Sequence, residues 1–194
     1  MIKYCPMTTP LFRGRLVRLT APDPERDAET LARWSRDSEY LRLVDSIPAR
    51  PQTAKEWQDY LAKTVERADL YAFHIRTVED DRFVGDVGIG IGNWASGEAE
   101  VGIGLGERAD WGKGYGTDAM HLALRYAFGE LNLARVSLEV FAYNPRAVRS
   151  YEKAGFKLEG VQREWLRRGG RRHDMIHMGI LSEEWRARPP SGSE

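Results

Sequence analysis

The sequence predicts one mixed α+β domain, on three observations. The chain has 194 residues, enough to bury a sizeable core but a squeeze for two full domains. Its apolar residues alternate with period two in some segments and recur at helical spacing in others. Their order is β, α, α, a β-meander, then a βαβαβ-like alternation, with no linker and no internal repeat.

Residues 13–20 read as a short strand, with Leu16 and Val17 among basic neighbours. Asp23-Pro24 opens a helix with an acidic first turn, running past Leu31 and Trp34 to about residue 36. A second helix starts at Thr53, where Thr53-Ala-Lys-Glu56 has the form of a capping box. Residues 71–77 and 83–91 form a hairpin around Glu79-Asp80-Asp81, and 98–105 is the next strand. From Thr117 the period lengthens: Met120, Ala123, Leu124, Ala127, Phe128 and Leu131 fall on one helical face. Residues 135–141 are a strand rich in β-branched and aromatic side chains. Asn144-Pro145 supplies the N-cap and first residue of a helix that Gly155 stops. Two more strands, 156–165 and 172–181, flank an Arg167-Arg-Gly-Gly170 turn. The expected organisation is an extension over 1–12, the domain over 13–185 and a disordered tail over 186–194.

Composition excludes several classes. With 29 Lys+Arg against 29 Asp+Glu, no long-range field draws the chain to nucleic acid or an anionic membrane. Arg163, Arg167, Arg168, Arg171 and Arg172 make a local basic patch, read as a solvated hairpin with an acidic partner or ribosomal RNA as alternatives. The single Cys5 allows no internal disulfide and sits in a terminal segment ill suited to a nucleophile. No signal-peptide pattern and no long apolar run occur, so the expected compartment is the cytoplasm, with no membrane partner. His173 and His177 fall on a strand, where their side chains would be roughly 13 Å apart at about 3.3 Å per residue, so no metal is expected. No Gly-x-Ser-x-Gly elbow supports a serine hydrolase.

The glycines carry the functional signal. Eleven of 19 fall between Gly85 and Gly116, densest in Asp110-Trp-Gly-Lys-Gly-Tyr-Gly-Thr117 between a strand and the long helix. Gly112, Gly114 and Gly116 let successive backbone N–H groups turn toward one point, and the helix from Thr117 adds its own free N–H groups and dipole. This is an anion cradle suited to a phosphate or pyrophosphate, to which Lys113 adds charge. A Walker A loop fails, because Gly114 rather than Ser or Thr follows Lys113. A dinucleotide fingerprint is formally met by Gly114-x-Gly116-x-x-Ala119, although the strand ends about nine residues earlier at Leu105. A nicotinamide dinucleotide therefore stays as an alternative.

Val101-Gly-Ile-Gly-Leu105 followed by Trp111-Gly-Lys-Gly-Tyr-Gly116 resembles the acetyl-coenzyme A loop of the GNAT acetyltransferase superfamily. Asn144-Pro-Arg-Ala-Val-Arg-Ser-Tyr151-Glu-Lys-Ala-Gly-Phe156 resembles its second motif. Trp111 departs from the usual Arg or Gln, which points to the ribosomal-protein and spermidine N-acetyltransferase branches and removes one side-chain phosphate contact. The resemblance implies a mostly antiparallel sheet of six or seven strands, splayed at the cofactor site and flanked by about four helices. It implies transfer of an acetyl group from acetyl-CoA to a primary amine, on a small molecule or a protein N-terminus, by direct attack in a ternary complex. A homodimer is common in the family, and a non-catalytic acyl-CoA sensor is the alternative outside enzymes.

Residue roles follow from the same resemblance. Tyr151 protonates the departing thiolate. Gly112, Lys113, Gly114, Gly116 and Thr117 hold the pyrophosphate, Asn144 touches the cofactor, and the backbone of Ile103 and Leu105 pairs with the pantetheine arm. Glu98 and Glu100 share a strand face with Gly102 and Gly104. Glu100, deeper in the strand and where related enzymes often carry Glu, is the expected base, with Glu98 or water as alternatives. Arg149 could reach a phosphate but reads first as part of a solvated helix face.

Overall fold

The computed structural model describes residues 10–188. Its elements are β1 (Val17–Thr20), α1 (Pro24–Trp34), α2 (Ser38–Val44), α3 (Ala54–Val65), β2 (Leu70–Thr77), β3 (Phe83–Asn93) and β4 (Glu98–Leu105). A 3-10 turn (Arg108–Asp110) leads to α4 (Tyr115–Gly129), β5 (Arg135–Phe141), α5 (Pro145–Ala154), β6 (Lys157–Arg168), β7 (Arg171–Leu181) and α6 (Ser182–Arg186). The strands make one seven-stranded sheet in the order β1-β2-β3-β4-β5-β7-β6. Every neighbouring pair is antiparallel except β4 with β5.

That parallel pair positions the site. It joins only Glu98 with Arg135, Ala99 with Val136 and Glu100 with Ser137. Beyond Glu100 both strands continue, β4 to Leu105 and β5 to Phe141, without pairing to each other. The sheet is split from there on, and the β4 backbone facing the split has hydrogen-bonding groups to offer.

Helices cover both faces. Met120, Ala123, Leu124, Ala127 and Phe128 of α4 are all buried in the main core with Val87, Ile89, Ala99, Val101, Val136 and Leu138, as their spacing requires. A second core of Leu31, Trp34, Tyr40, Leu61 and Phe83 joins α1, α2 and α3 to the other face. Between α1 and β2 lies a buried ionic cluster: Asp27 takes His74 Nδ1 at 2.6 Å and Arg76 Nη2 at 2.7 Å. The capping box at Thr53 is formed, with Glu56 N donating to Thr53 Oγ1 and Thr53 N to Glu56 Oε2.

Four expectations change. The strand over 13–20 begins only at Val17, because the Asp118 carboxylate accepts from Leu16 N and Val17 N at 2.7 and 3.0 Å and draws that segment toward α4. The helix expected from Thr117 starts at Tyr115, with Gly114 as its N-cap. Six α-helices rather than four occur among the described residues, α2 and α6 being the additions. Of the expected tail, Arg186 ends α6 and Arg188 Nη2 donates to the Lys153 carbonyl at 2.7 Å. Residues 189–194 and Cys5 lie outside the described residues.

Candidate active site

The split between β4 and β5 opens into a cleft of about 510 Å³. The loop 111–117 and α5 line one end; α2, the segment after it and the ends of β5 and β6 line the other. Glu100, Ile103, Leu105, Gly112, Gly114, Gly116, Thr117, Asn144 and Tyr151 all line it, so the chain folds nine of the ten expected site residues into one cavity.

Gly112 and Gly114 have φ of +79° and +90°, in the left-handed region that a side chain disfavours. A Cβ on Gly112 would meet nothing within 4 Å, so the loop is open on that side. Among the described residues, none of the backbone N–H groups of 112–117 reaches a backbone acceptor. Thr117 Oγ1 lies 2.9 Å from Ser150 Oγ, tying the loop to α5. Free amides at the N-terminus of a 15-residue helix suit an anion. This is the fit that a pyrophosphate requires.

Lys113, the tenth, is turned from the cleft. Its Nζ lies 3.4 Å from Asp110 Oδ1, a buried carboxylate that Arg82 also grips at 2.6 and 2.9 Å. Positive charge reaches the cleft from α5 instead. Arg146, Arg149 and Lys153 all line it, at the i, i+3, i+7 spacing of one helix face. The Arg146 guanidinium stacks on Trp111, 3.7 Å from the ring centroid. Trp111 is itself held by Nε1 donating to the Leu105 carbonyl at 2.8 Å. The sequence alone presents Arg149 first as part of a solvated helix face and does not distinguish Arg146. Their shared spacing was the available signal.

Asn144 caps α5, its Oδ1 accepting from Ala147 N at 3.2 Å. Tyr151 follows two turns on and packs edge-to-face with Phe156. Burial alone pushes its hydroxyl up to about 12, so it is protonated at neutral pH. Across the split, burial raises Glu100 above its ordinary value, nearby Glu139 adds to the rise, and His177 pulls the other way. Glu139 also lines the cleft, with His177 Nδ1 3.4 Å from its Oε1. Glu98 instead faces Arg135, with 3.3 Å between Oε1 and Nε, and does not line the cleft. His173 and His177 both lie on β7, and no group of three His, Cys, Asp or Glu placed to hold a metal occurs among the described residues. No helix among them is long and apolar enough to cross a membrane.

Known proteins resemble this chain in sequence and in fold. A family model, the acetyltransferase (GNAT) domain, matches residues 16–157. A probable N-acetyltransferase of Bacillus subtilis (strain 168) is 37% identical over 180 residues, 90% of this chain and 98% of its own. The spermidine N(1)-acetyltransferase of Escherichia coli (strain K12) is 30% identical over 160 residues, 78% of this chain and 86% of its own. The fold is shared with the solved spermidine N-acetyltransferase from Vibrio cholerae in complex with CoA and spermine. That match has a TM-score of 0.76 at 24% identity, over 87% of this chain and 97% of that one. With an open anion loop, a split sheet, and a family model spanning most of both, the chain belongs to the GNAT acetyltransferase family.

Proposed function

We propose that the protein transfers an acetyl group from acetyl-CoA to a primary amine, by direct attack in a ternary complex. The observation that carries this reading is the split of β4 from β5 directly after Glu100, in one cleft with the open amides of 112–117. The amides take the pyrophosphate, each bond to a charged oxygen being worth about 1.5–3 kcal/mol. The backbone of β4 near Ile103 and Leu105, which no longer pairs with β5, receives the pantetheine arm as an added strand would, with the Leu105 carbonyl already accepting from Trp111 Nε1. Asn144 borders the same arm.

The acceptor must be neutral to attack. An alkylamine with a pKa near 10 needs about 4 kcal/mol for deprotonation at pH 7, an α-amine near 8 only about 1.4. Glu100, with its affinity for protons raised, is suited to take that proton directly or through water. As the new C–N bond forms and the C–S bond breaks, the thiolate takes the Tyr151 hydroxyl proton, and the remaining extra proton on nitrogen returns to the Tyr151 phenolate, directly or through water. The products are the acetamide and free CoA.

Glu100 and Glu139 give the acceptor end two carboxylates, which favours a cationic amine. A polyamine, the substrate class in the name of the Escherichia coli relative, is the first candidate, ahead of a protein N-terminus. We assign the enzyme to the cytoplasm, on the single cysteine of the chain. An acceptor panel of polyamines, N-terminal peptides, aminoglycosides and amino acids, read by release of free thiol, tests the reading. Acetyl-CoA binding without thiol release on any amine would favour a sensor instead.

A further inference from the structure

We infer that Arg168 is a positioning residue for the acceptor, holding the acceptor wall of the cleft in place; the inference rests on the acetyl-transfer reading above. That wall is made by Leu43, Val44, Asp45 and Ser46, at the end of α2 and just after it. Between Val44 and Ala54 the chain has no regular structure, so its backbone carbonyls must find partners elsewhere. At the far end, Ser35 holds it: Gln52 N donates to Ser35 Oγ at 2.8 Å. At the near end, Arg168 does.

Arg168 sits at the end of β6, on the other side of the split. Its Nη1 donates to the Arg42 carbonyl at 2.6 Å and to Tyr143 Oη at 2.7 Å. Its Nη2 faces the carbonyls of Asp45, Ser46 and Ile47 at 3.0, 3.1 and 3.2 Å. Tyr143 Oη in turn donates to the Arg42 carbonyl at 2.6 Å, and His173 Nε2 lies 3.2 Å from the Arg168 carbonyl. One planar fork thus binds four carbonyls of one segment, a pattern that an ammonium cannot reproduce. The Arg42 carbonyl belongs to the last turn of α2, where a cation is further favoured by the helix dipole. Arg163, Arg167, Arg171 and Arg172 of the same hairpin are exposed, whereas Arg168 is half-buried. Arg168 does not line the cleft; it acts through the segment it grips, joining the two arms of the split sheet at the acceptor end.

The consequence is a division of labour. Acetyl-CoA is held by α4, α5 and β4, none of which Arg168 touches, while the acceptor meets the wall that Arg168 fixes. The test compares Arg168→Lys and Arg168→Ala with wild type and with Arg167→Ala as control, on the full chain. Expected are an acceptor KM raised about tenfold or more, an acetyl-CoA Kd by calorimetry within twofold of wild type, and amide exchange over 43–50 accelerated about tenfold. Arg167→Ala should move none of these. Unchanged exchange over 43–50 in Arg168→Ala would overturn the clasp, as would an unchanged acceptor KM or an equal loss of acetyl-CoA affinity. If wild type acetylates no amine, the acetyl-transfer reading fails. The exchange measurement then still decides whether Arg168 holds the segment.

Discussion

The guanidinium of Arg146 lies 3.7 Å from the centroid of the Trp111 ring, joining the first turn of α5 to the anion loop. Trp111 has no charge to offer an anion, and the stack brings a cation to the loop from a different element. A half-buried contact of this kind is worth about 1 kcal/mol, and Arg146 adds its charge to the loop. Arg146→Ala and Trp111→Ala should each weaken CoA binding by about tenfold in calorimetry, and more so at low salt. The double variant should be little worse than either single one, since both remove the same interaction. Additive losses would mean that the two residues act separately.

Tyr151 owes its raised pKa to burial alone, and its proposed task is to give up a proton only when the thiolate forms. Tyr151→Phe keeps the ring against Phe156 and removes only the hydroxyl. We expect kcat to fall by about 10²- to 10⁴-fold, the usual scale for a lost general acid, with acetyl-CoA affinity held within about twofold. Unchanged turnover at every pH would take Tyr151 out of that role.

Glu100 is active as a base only when ionised, and its pKa lies above the ordinary carboxylate value. Activity must therefore fall as pH drops through that raised value. Glu100→Gln should lower kcat/KM and abolish this acidic limb, leaving only the limb set by the acceptor amine. A pH–rate profile of both proteins on one amine reads this directly.

Asp86 carries a stability prediction rather than a catalytic one. It lies opposite Gly104 in the β3–β4 ladder, under Tyr40, and burial raises it from 3.8 to about 6. The native state then keeps a proton that the unfolded chain has lost between those values. Stability falls as pH rises from about 4 to 6, by about 3 kcal/mol at 1.36 kcal/mol per unit. Asp86→Asn should remove this fall and be the more stable protein at pH 7.5, with the gap closing by pH 4. Urea unfolding of both proteins at the two pH values checks it.

Local signals carried most of the fold into the sequence. Asn144, Pro145 and Gly155 bound α5 because capping is a matter of neighbouring residues, and the α4 apolar stripe is visible for the same reason. Helix α2 is not legible in the sequence because it has only seven residues, too few for a period to declare itself, though Asp37 caps it by accepting from Glu39 N at 2.9 Å. Long-range pairings were not legible. Lys113 looked like a phosphate ligand until Asp110 and Arg82 were folded beside it, and the Arg168 grip spans more than 120 positions of sequence. Part of the glycine surplus on β3 also has a cause only in three dimensions. A Cβ on Gly85 would collide with the Gly104 carbonyl across the ladder.

The central claim is that the amides of 112–117 and the open edge of β4 form an acetyl-CoA site. Calorimetric titration of the full chain with acetyl-CoA tests it most directly. The expected result is saturable 1:1 binding that weakens at least tenfold in Gly114→Val, where a side chain would be forced to φ near +90° at the loop. No binding at millimolar acetyl-CoA, or binding indifferent to that substitution in a folded variant, would contradict the account.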